Sequence, residues 1–479
     1  MQNSRAIRQH LLKERRYCFM VIVSSVNVSS FCVLINKTDD VVPADNKQNK
    51  WIIDPFQMKG INGYLYGRGV SDNKGPIMAA LYGVVDLVHE KELESDITFL
   101  IEGEEESGSR GFKDAIRRHK DLIGDIDYII LANSYWLDDE VPCLTYGLRG
   151  VLHATVKVDS NHPDVHSGVD GSYMMDEPLF DLTSILAKLK GLHNRIQIPG
   201  FYDDILPLTA AEEARYDDIT ETLIRRNPEN GPPEILKASL MARWREPNLT
   251  IHRYKVSGPD GSLVSSHASA AISLRLVPNQ EVEDVIESLT DFLTDAFAQL
   301  DTHNHLSITI DNQADAWLGD PDNEIFQTLE DAIMDVWGPI GDTARRGSVP
   351  RPRPKQPSNP TISPSLKPTP ATSTTLTNGS DHTSLAATPL DPSQPEEPFS
   401  SAESTNGEKK RGRKPLYIRE GGSIPSIRFL EKEFGAPAAH LPCGQASDSA
   451  HLDNERLRVN NLYKSREIFR RVFRELPRK

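Results

Sequence analysis

Phe99 to Ser109 reads FLIEGEEESGS, with three consecutive carboxylates, Glu104, Glu105 and Glu106, between an apolar run and a Gly-Ser turn. Like charges packed this closely are unfavourable unless a cation compensates them or water solvates them. A bound metal ion is one reading of the triplet, and a solvated acidic loop at a strand end is the other. A second acid, Asp72, lies in Gly67-Arg-Gly-Val-Ser-Asp-Asn-Lys-Gly75, a Gly-bounded loop directly before a helical pattern. There it either caps the helix N-terminus or bridges two cations through its two carboxylate oxygens. Asp40 ahead of Val41-Val-Pro43, His166 in Asp164-Val-His-Ser-Gly168 and His451 in Ser449-Ala-His-Leu-Asp-Asn-Glu455 are weak signals when taken singly.

Regular elements must carry these groups to one place. Asp96-Ile-Thr-Phe-Leu-Ile101 predicts a buried strand, because β-branched and apolar residues run unbroken after Asp96. The acids then emerge at its C-terminal edge, where α/β sheets build their sites. Pro76 to His89 predicts a helix with Pro in its first turn, and Asp127 to Ala132 a second buried strand. This order predicts an α/β domain whose mostly parallel sheet is flanked by helices. Further on, Leu152–Val158, Ala270–Val277 and Leu306–Ile310 alternate with period two, and Val282–Leu300 is amphipathic. Half-exposed strands with a few helices predict a smaller α+β domain inserted into the first.

The chain has 479 residues, 38% hydrophobic and 26% charged, which suits a globular protein of more than one unit. A net charge of -15 argues against general nucleic-acid binding. Four scattered cysteines without a CxxC pair argue against a disulfide framework or a thiolate zinc site, and imply a reducing, cytoplasmic setting. Arg5, Arg8, Lys13, Arg15 and Arg16 precede an apolar stretch from Tyr17 to Ile35, which could be read as a signal peptide or anchor. Ser24, Ser25, Asn27, Ser29 and Ser30 dilute it, so no membrane role is expected.

Residues 341–415 are rich in Pro, Ser and Thr with few apolar groups, a composition that predicts a disordered insert. Its basic run, Lys409 to Pro415, resembles an import signal or DNA hook, although such runs are usually only solvated. Ordered sequence resumes with a strand-like Leu416–Arg419, and a helix is expected over Lys464–Leu476.

Together the blocks YGRGVSDNKGP, EGEEESGS, LTYGLRG, DVHSG, LRLVPNQ and REGGSIPS, in this order, resemble the di-metal exopeptidase family of carnosinase, cysteinylglycine dipeptidase, aminoacylase and acetylornithine deacetylase. The resemblance runs from Asp40 to the C-terminus, apart from the insert. It implies a catalytic domain in three parts, 40–150, 316–340 and 416–479, around a lid and dimerisation domain at 151–315, after an atypical segment 1–39. It further implies Asp72 as the carboxylate bridging two metals, Glu106 and His451 as terminal ligands, and Glu105 as the general base beside them, with Glu104 a bystander. Asp40 would orient a neighbouring ligand, and His166 would reach over the substrate, often from a partner subunit. Arg419, Gly421, Gly422 and Ser423 fall where the family meets the substrate's terminal carboxylate. The implied cofactors are two divalent ions, with zinc favoured and manganese tolerating the same ligands. The implied substrate is a small peptide, and the implied assembly a homodimer.

Two positions depart from the family. Thr38 stands where the pattern His-x-Asp places a metal-binding His, and Asn133, in Ala132-Asn-Ser-Tyr-Trp136, stands as a neutral and weaker metal ligand where the resemblance implies an Asp ligand. Because resemblance stops abruptly before Asp40, a mistaken start, a splice junction or a truncation is expected there. Asn133 and the Pro/Ser-rich insert resemble the branch of fungal glutathione-degradation subunits. That branch implies either a peptidase in glutathione catabolism or a weakened scaffold paired with a glutamine-amidotransferase-like subunit.

Overall fold

The computed structural model describes residues 18–23, 30–36, 41–44, 50–103, 105–258, 261–338 and 414–476. Thr38, Asp40, Glu104, the basic run up to Arg413 and nearly all of the expected insert lie outside the described residues. The first elements are strands β1 (Cys18–Val23) and β2 (Ser30–Asn36), helix α1 (Gly75–Glu90), strand β3 (Asp96–Glu102), helix α2 (Phe112–Arg118), and strands β4 (Tyr128–Ala132) and β5 (Cys143–Leu148). β2 pairs in parallel with both β3 and β4, and ends with Asn36 level with Glu102. β1 runs antiparallel along the other edge of β3.

The described residues of segment 1–39, 18–23 and 30–36, lie in the large sheet. The apolar runs CFMVIV and SFCVLIN, which invite comparison with a membrane segment, are six and seven residues long and serve as sheet strands. Among the described residues no helix is long and apolar enough to cross a membrane.

A four-stranded antiparallel sheet follows, built from β6 (Gly150–Asp159), β7 (Asn248–Val256), β8 (His267–Leu276) and β9 (His305–Ala314) in the order β7-β8-β6-β9. Between β6 and β7 lie helices α3 (Pro178–Ala187), α4 (Ala210–Arg226) and α5 (Pro233–Trp244), and α6 (Val282–Ala298) follows β8. Leu182, Ile185 and Leu186 of α3 join Leu289 and Leu293 of α6 in burying the alternating Val156, Val158, Ile272 and Leu274. This is the lid.

Helices α4 and α5 go elsewhere. Their apolar faces, Tyr216, Ile219, Leu223, Leu236, Leu240 and Trp244, pack against Trp136, Leu416 and Ile418 of the first unit. The block 151–315 is thus not wholly lid, because the apolar stripe of these two helices finds its partner on the large sheet.

The chain returns to that sheet with β10 (Trp317–Leu318), helix α7 (Glu324–Trp337), β11 (Leu416–Glu420), helix α8 (Pro425–Phe434), β12 (Ala438–Leu441) and helix α9 (Val459–Glu475). The eight-stranded sheet has the order β1-β3-β2-β4-β12-β5-β10, with β11 also on β5. Its centre, β3 through β12, is parallel, and antiparallel pairs flank it. Phe99, Leu131, Phe326, Phe469 and Phe473 fill the core between sheet and helices. α1 can lie close to α9 because Gly83 has no side chain: a Cβ there would meet Arg466 O and Arg470 N at 3.1 Å. Asp86 and Arg466 close the same seam with a 2.5 Å ion pair.

Candidate metal centre

The loop before α1 cannot continue as a regular helix. Gly69 has φ 83°, a left-handed value that suits glycine, and a Cβ there would stand 2.6 Å from Val41 Cγ1. Asp72 and Asn73 leave helical geometry, and the peptide between them is cis. The buried Asn73 donates through Nδ2 to Ala132 O at 2.5 Å, tying the loop to the C-terminal end of β4. β3 ends at Glu102, and Glu105–Ser107 form a single 3-10 turn just beyond it. The acids thus lie where a buried strand of this sheet delivers its chain end.

His451 arrives from the opposite end of the sequence, in a turn where it adopts φ 65°. Its Nε2 lies 2.8 Å from Asp72 Oδ2 and 3.1 Å from Glu106 Oε1. Hydrogen bonds to Asp72 and then Glu106 raise its pKa from 6.5 to about 10. One ligand atom from each of Asp72, Glu106 and His451 can lie within 4.8 Å of the others. Two carboxylates and an imidazole converging in this way match the donor set of a zinc or similar divalent site. The half-buried Glu105 sits beside Glu106 in the same turn.

The other expected site residues are placed differently. Asn133 is buried, its Oδ1 accepts from Ser134 N at 2.6 Å, and its carbonyl faces His440 Nε2 at 3.0 Å. His166 stands on a two-residue strand of the lid paired with Leu263–Val264. Its own hydrogen bonds go to Asp170 and Gly168, and its side chain is exposed.

Arg419 departs furthest from the expectation of substrate contact. It is 6% exposed and forms an ion pair with Glu212 of α4 at 2.5 Å, so its charge is spent joining that helix to the sheet. The neighbouring Gly421, Gly422 and Ser423 instead meet two arginines that sequence reasoning passed over. Arg149 donates from its backbone to Gly422 O and from Nε to Gly421 O, and Arg275 Nη1 donates to Ser423 Oγ at 3.1 Å. Burial lowers the pKa of both, that of Arg149 to about 10 with help from the nearby charge of Arg275.

Glu420 was also missed. It accepts from Ser134 Oγ at 2.8 Å and Thr145 Oγ1 at 2.9 Å, and burial pushes its carboxyl up, with the charge of Asp72 adding to the shift. Only its place next to Arg419 in the REGGS block could have drawn attention to it.

A profile of peptidase family M20/M25/M40 matches residues 39–349. The chain is 37% identical over 439 residues to "Probable di- and tripeptidase DUG2" of Saccharomyces cerevisiae, covering 91% of this chain and 41% of that protein. It is 28% identical over 450 residues to the Cys-Gly metallodipeptidase DUG1 of Candida albicans, covering 90% and 75%. To the human beta-Ala-His dipeptidase it is 31% identical over 319 residues, covering 65% and 62%. It therefore spans less than two thirds of the yeast DUG2 and human dipeptidase sequences. The structure of human carnosine dipeptidase 1 has the same fold, with a TM-score of 0.65 at 24% identity over 96% of this chain and 84% of that one. With its helix-flanked sheet, its inserted lid and the motif blocks between them, the chain belongs to peptidase family M20/M25/M40.

Proposed function

We propose that this chain is a metal-dependent peptidase of the dipeptidase type, which hydrolyses the amide bond of a small peptide in glutathione breakdown. The observation that carries this reading is the convergence of Asp72, Glu106 and His451 beside Glu105. The names of the yeast and Candida relatives supply the substrate class. A pair of divalent cations, zinc in this proposal, would supply a nucleophilic water at neutral pH and polarise the scissile carbonyl. Asp72, Glu106 and His451 would hold them, and Glu105 would take the proton from the attacking water and pass it to the leaving amine. Gly421 to Ser423, with Arg149 and Arg275, form a cationic wall suited to a peptide's carboxylate. We place the protein in the cytoplasm as a homodimer, with His166 reaching toward the substrate of the partner.

The second reading is a weakened scaffold that works with a glutamine-amidotransferase-like subunit. Asn133, a neutral residue engaged by Ser134 N, favours it. Metal analysis and Cys-Gly hydrolysis by the purified chain separate the two. About two zinc ions per chain with turnover supports the peptidase, whereas no metal, and activity only with an amidotransferase partner, supports the scaffold. In the peptidase, Glu105→Gln should lower kcat by about 10²–10⁴-fold while leaving metal content and Tm unchanged. Unchanged turnover would remove Glu105 from its role.

A further inference from the structure

Asp72 and His451 come from opposite ends of the chain, and one buried carboxylate spans the gap between the loops that bear them. Glu455 is 1% exposed and lies four residues after His451. Its Oε2 accepts from Arg68 Nη1 at 2.8 Å and from Gly69 N at 2.9 Å. Its Oε1 accepts from Ser71 N at 3.0 Å, from Asp72 N at 3.1 Å and, more weakly, from Ser71 Oγ at 3.4 Å. Its backbone carbonyl takes Gly67 N at 3.0 Å. Four of the six backbone amides of the Gly67–Asp72 loop, those of Gly67, Gly69, Ser71 and Asp72, therefore turn toward a single residue, 383 positions from Asp72.

We propose that Glu455 is a positioning residue for the metal centre, setting Asp72 against His451 by holding the amide of Asp72 itself. This rests on the metal reading given above. Only an ionised carboxylate accepts from so many N–H groups without presenting a donor of its own, and Arg68 supplies the compensating charge in the buried pair. Holding the Asp72 amide fixes where its carboxylate begins, and ligand placement within about 0.5 Å governs a metal site. Glu455 needs no contact with substrate or metal to act in this way.

The test is zinc titration of the metal-depleted full chain, read by competition with a chromophoric chelator. Glu455→Gln puts an NH2 group against N–H donors, and should weaken zinc binding by about 10–100-fold at temperatures well below its Tm. Asp86→Asn is the comparator: it loses an ion pair at the α1–α9 seam and should lower Tm while leaving zinc affinity unchanged. If Glu455→Gln does not fold, Glu455→Asp carries the same test, since it keeps the charge but is one methylene too short to serve every donor. Wild-type zinc affinity in a folded Glu455 variant would overturn this inference alone. Absence of zinc binding in the wild-type chain would overturn the metal reading and this inference with it.

Discussion

His440 of β12 is wholly buried, with Nε2 directed at Asn133 O and Nδ1 without a partner among the described residues. Protonating it would place a charge where nothing accepts the second N–H, so burial lowers its pKa from 6.5 to about 4. Between those values the unfolded chain binds a proton that the native chain refuses, and stability rises with pH through that window. Acidification from pH 6.5 to 4 should therefore remove about 3 kcal/mol from this residue alone. Tm measured across the range should fall, and the fall should be shallower in His440→Asn, which has no proton to gain. At this scale the sequence was legible where chemistry is local. Glu105 and Glu106 follow a recognisable strand, and Asp72 sits in a glycine-bounded loop. Glu455, Glu420, Arg149 and Arg275 were not legible, because their importance lies in partners hundreds of residues away or on the other unit.

Among the elements, α1 and α9 illustrate a contact that tolerates little change. Gly83 faces the backbone of α9, so a side chain there has no flexible neighbour to displace. Gly83→Val should destabilise the protein by about 1–3 kcal/mol through overpacking, visible as a lower denaturant midpoint with an unaltered metal content. The helices themselves were readable from periodicity, and so were β3, β4 and the alternating lid strands. The apolar runs Cys18–Val23 and Ser30–Asn36 were harder to place. A short apolar run in a polar context does not declare whether it will be a strand, and the pairing of β1 antiparallel to β3 and of β2 parallel to β3 and β4 is a non-local event. The amphipathic stripe of α4 announced a buried face but not the surface that buries it.

For the whole molecule, the ion pair of Arg419 with Glu212 fastens a helix encoded between lid strands to the large sheet. Arg245 also reaches Glu212, at 3.3 Å, so this acid is shared by two buried cations. Removing Arg419 leaves Glu212 with one of them. Arg419→Met should cost about 3 kcal/mol of stability yet leave KM for a dipeptide near wild type in the folded enzyme. A large rise in KM without loss of Tm would restore Arg419 to the substrate. The division into a sheet unit and a lid was visible in the change from unbroken apolar runs to alternation. The strap formed by α4 and α5 was not, since order along the chain says nothing of which unit an excursion returns to.

The position of β12 has a consequence for biosynthesis. This strand lies between β4 and β5 and so joins two parts of the sheet encoded long before it. During translation β4 and β5 are made first and must wait, each with an unpaired edge, while some three hundred further residues are added. Unpaired edges of this kind are aggregation-prone. The strand that closes the sheet is followed ten residues later by His451, so a nascent chain interrupted before it is left with both an open edge and an incomplete site.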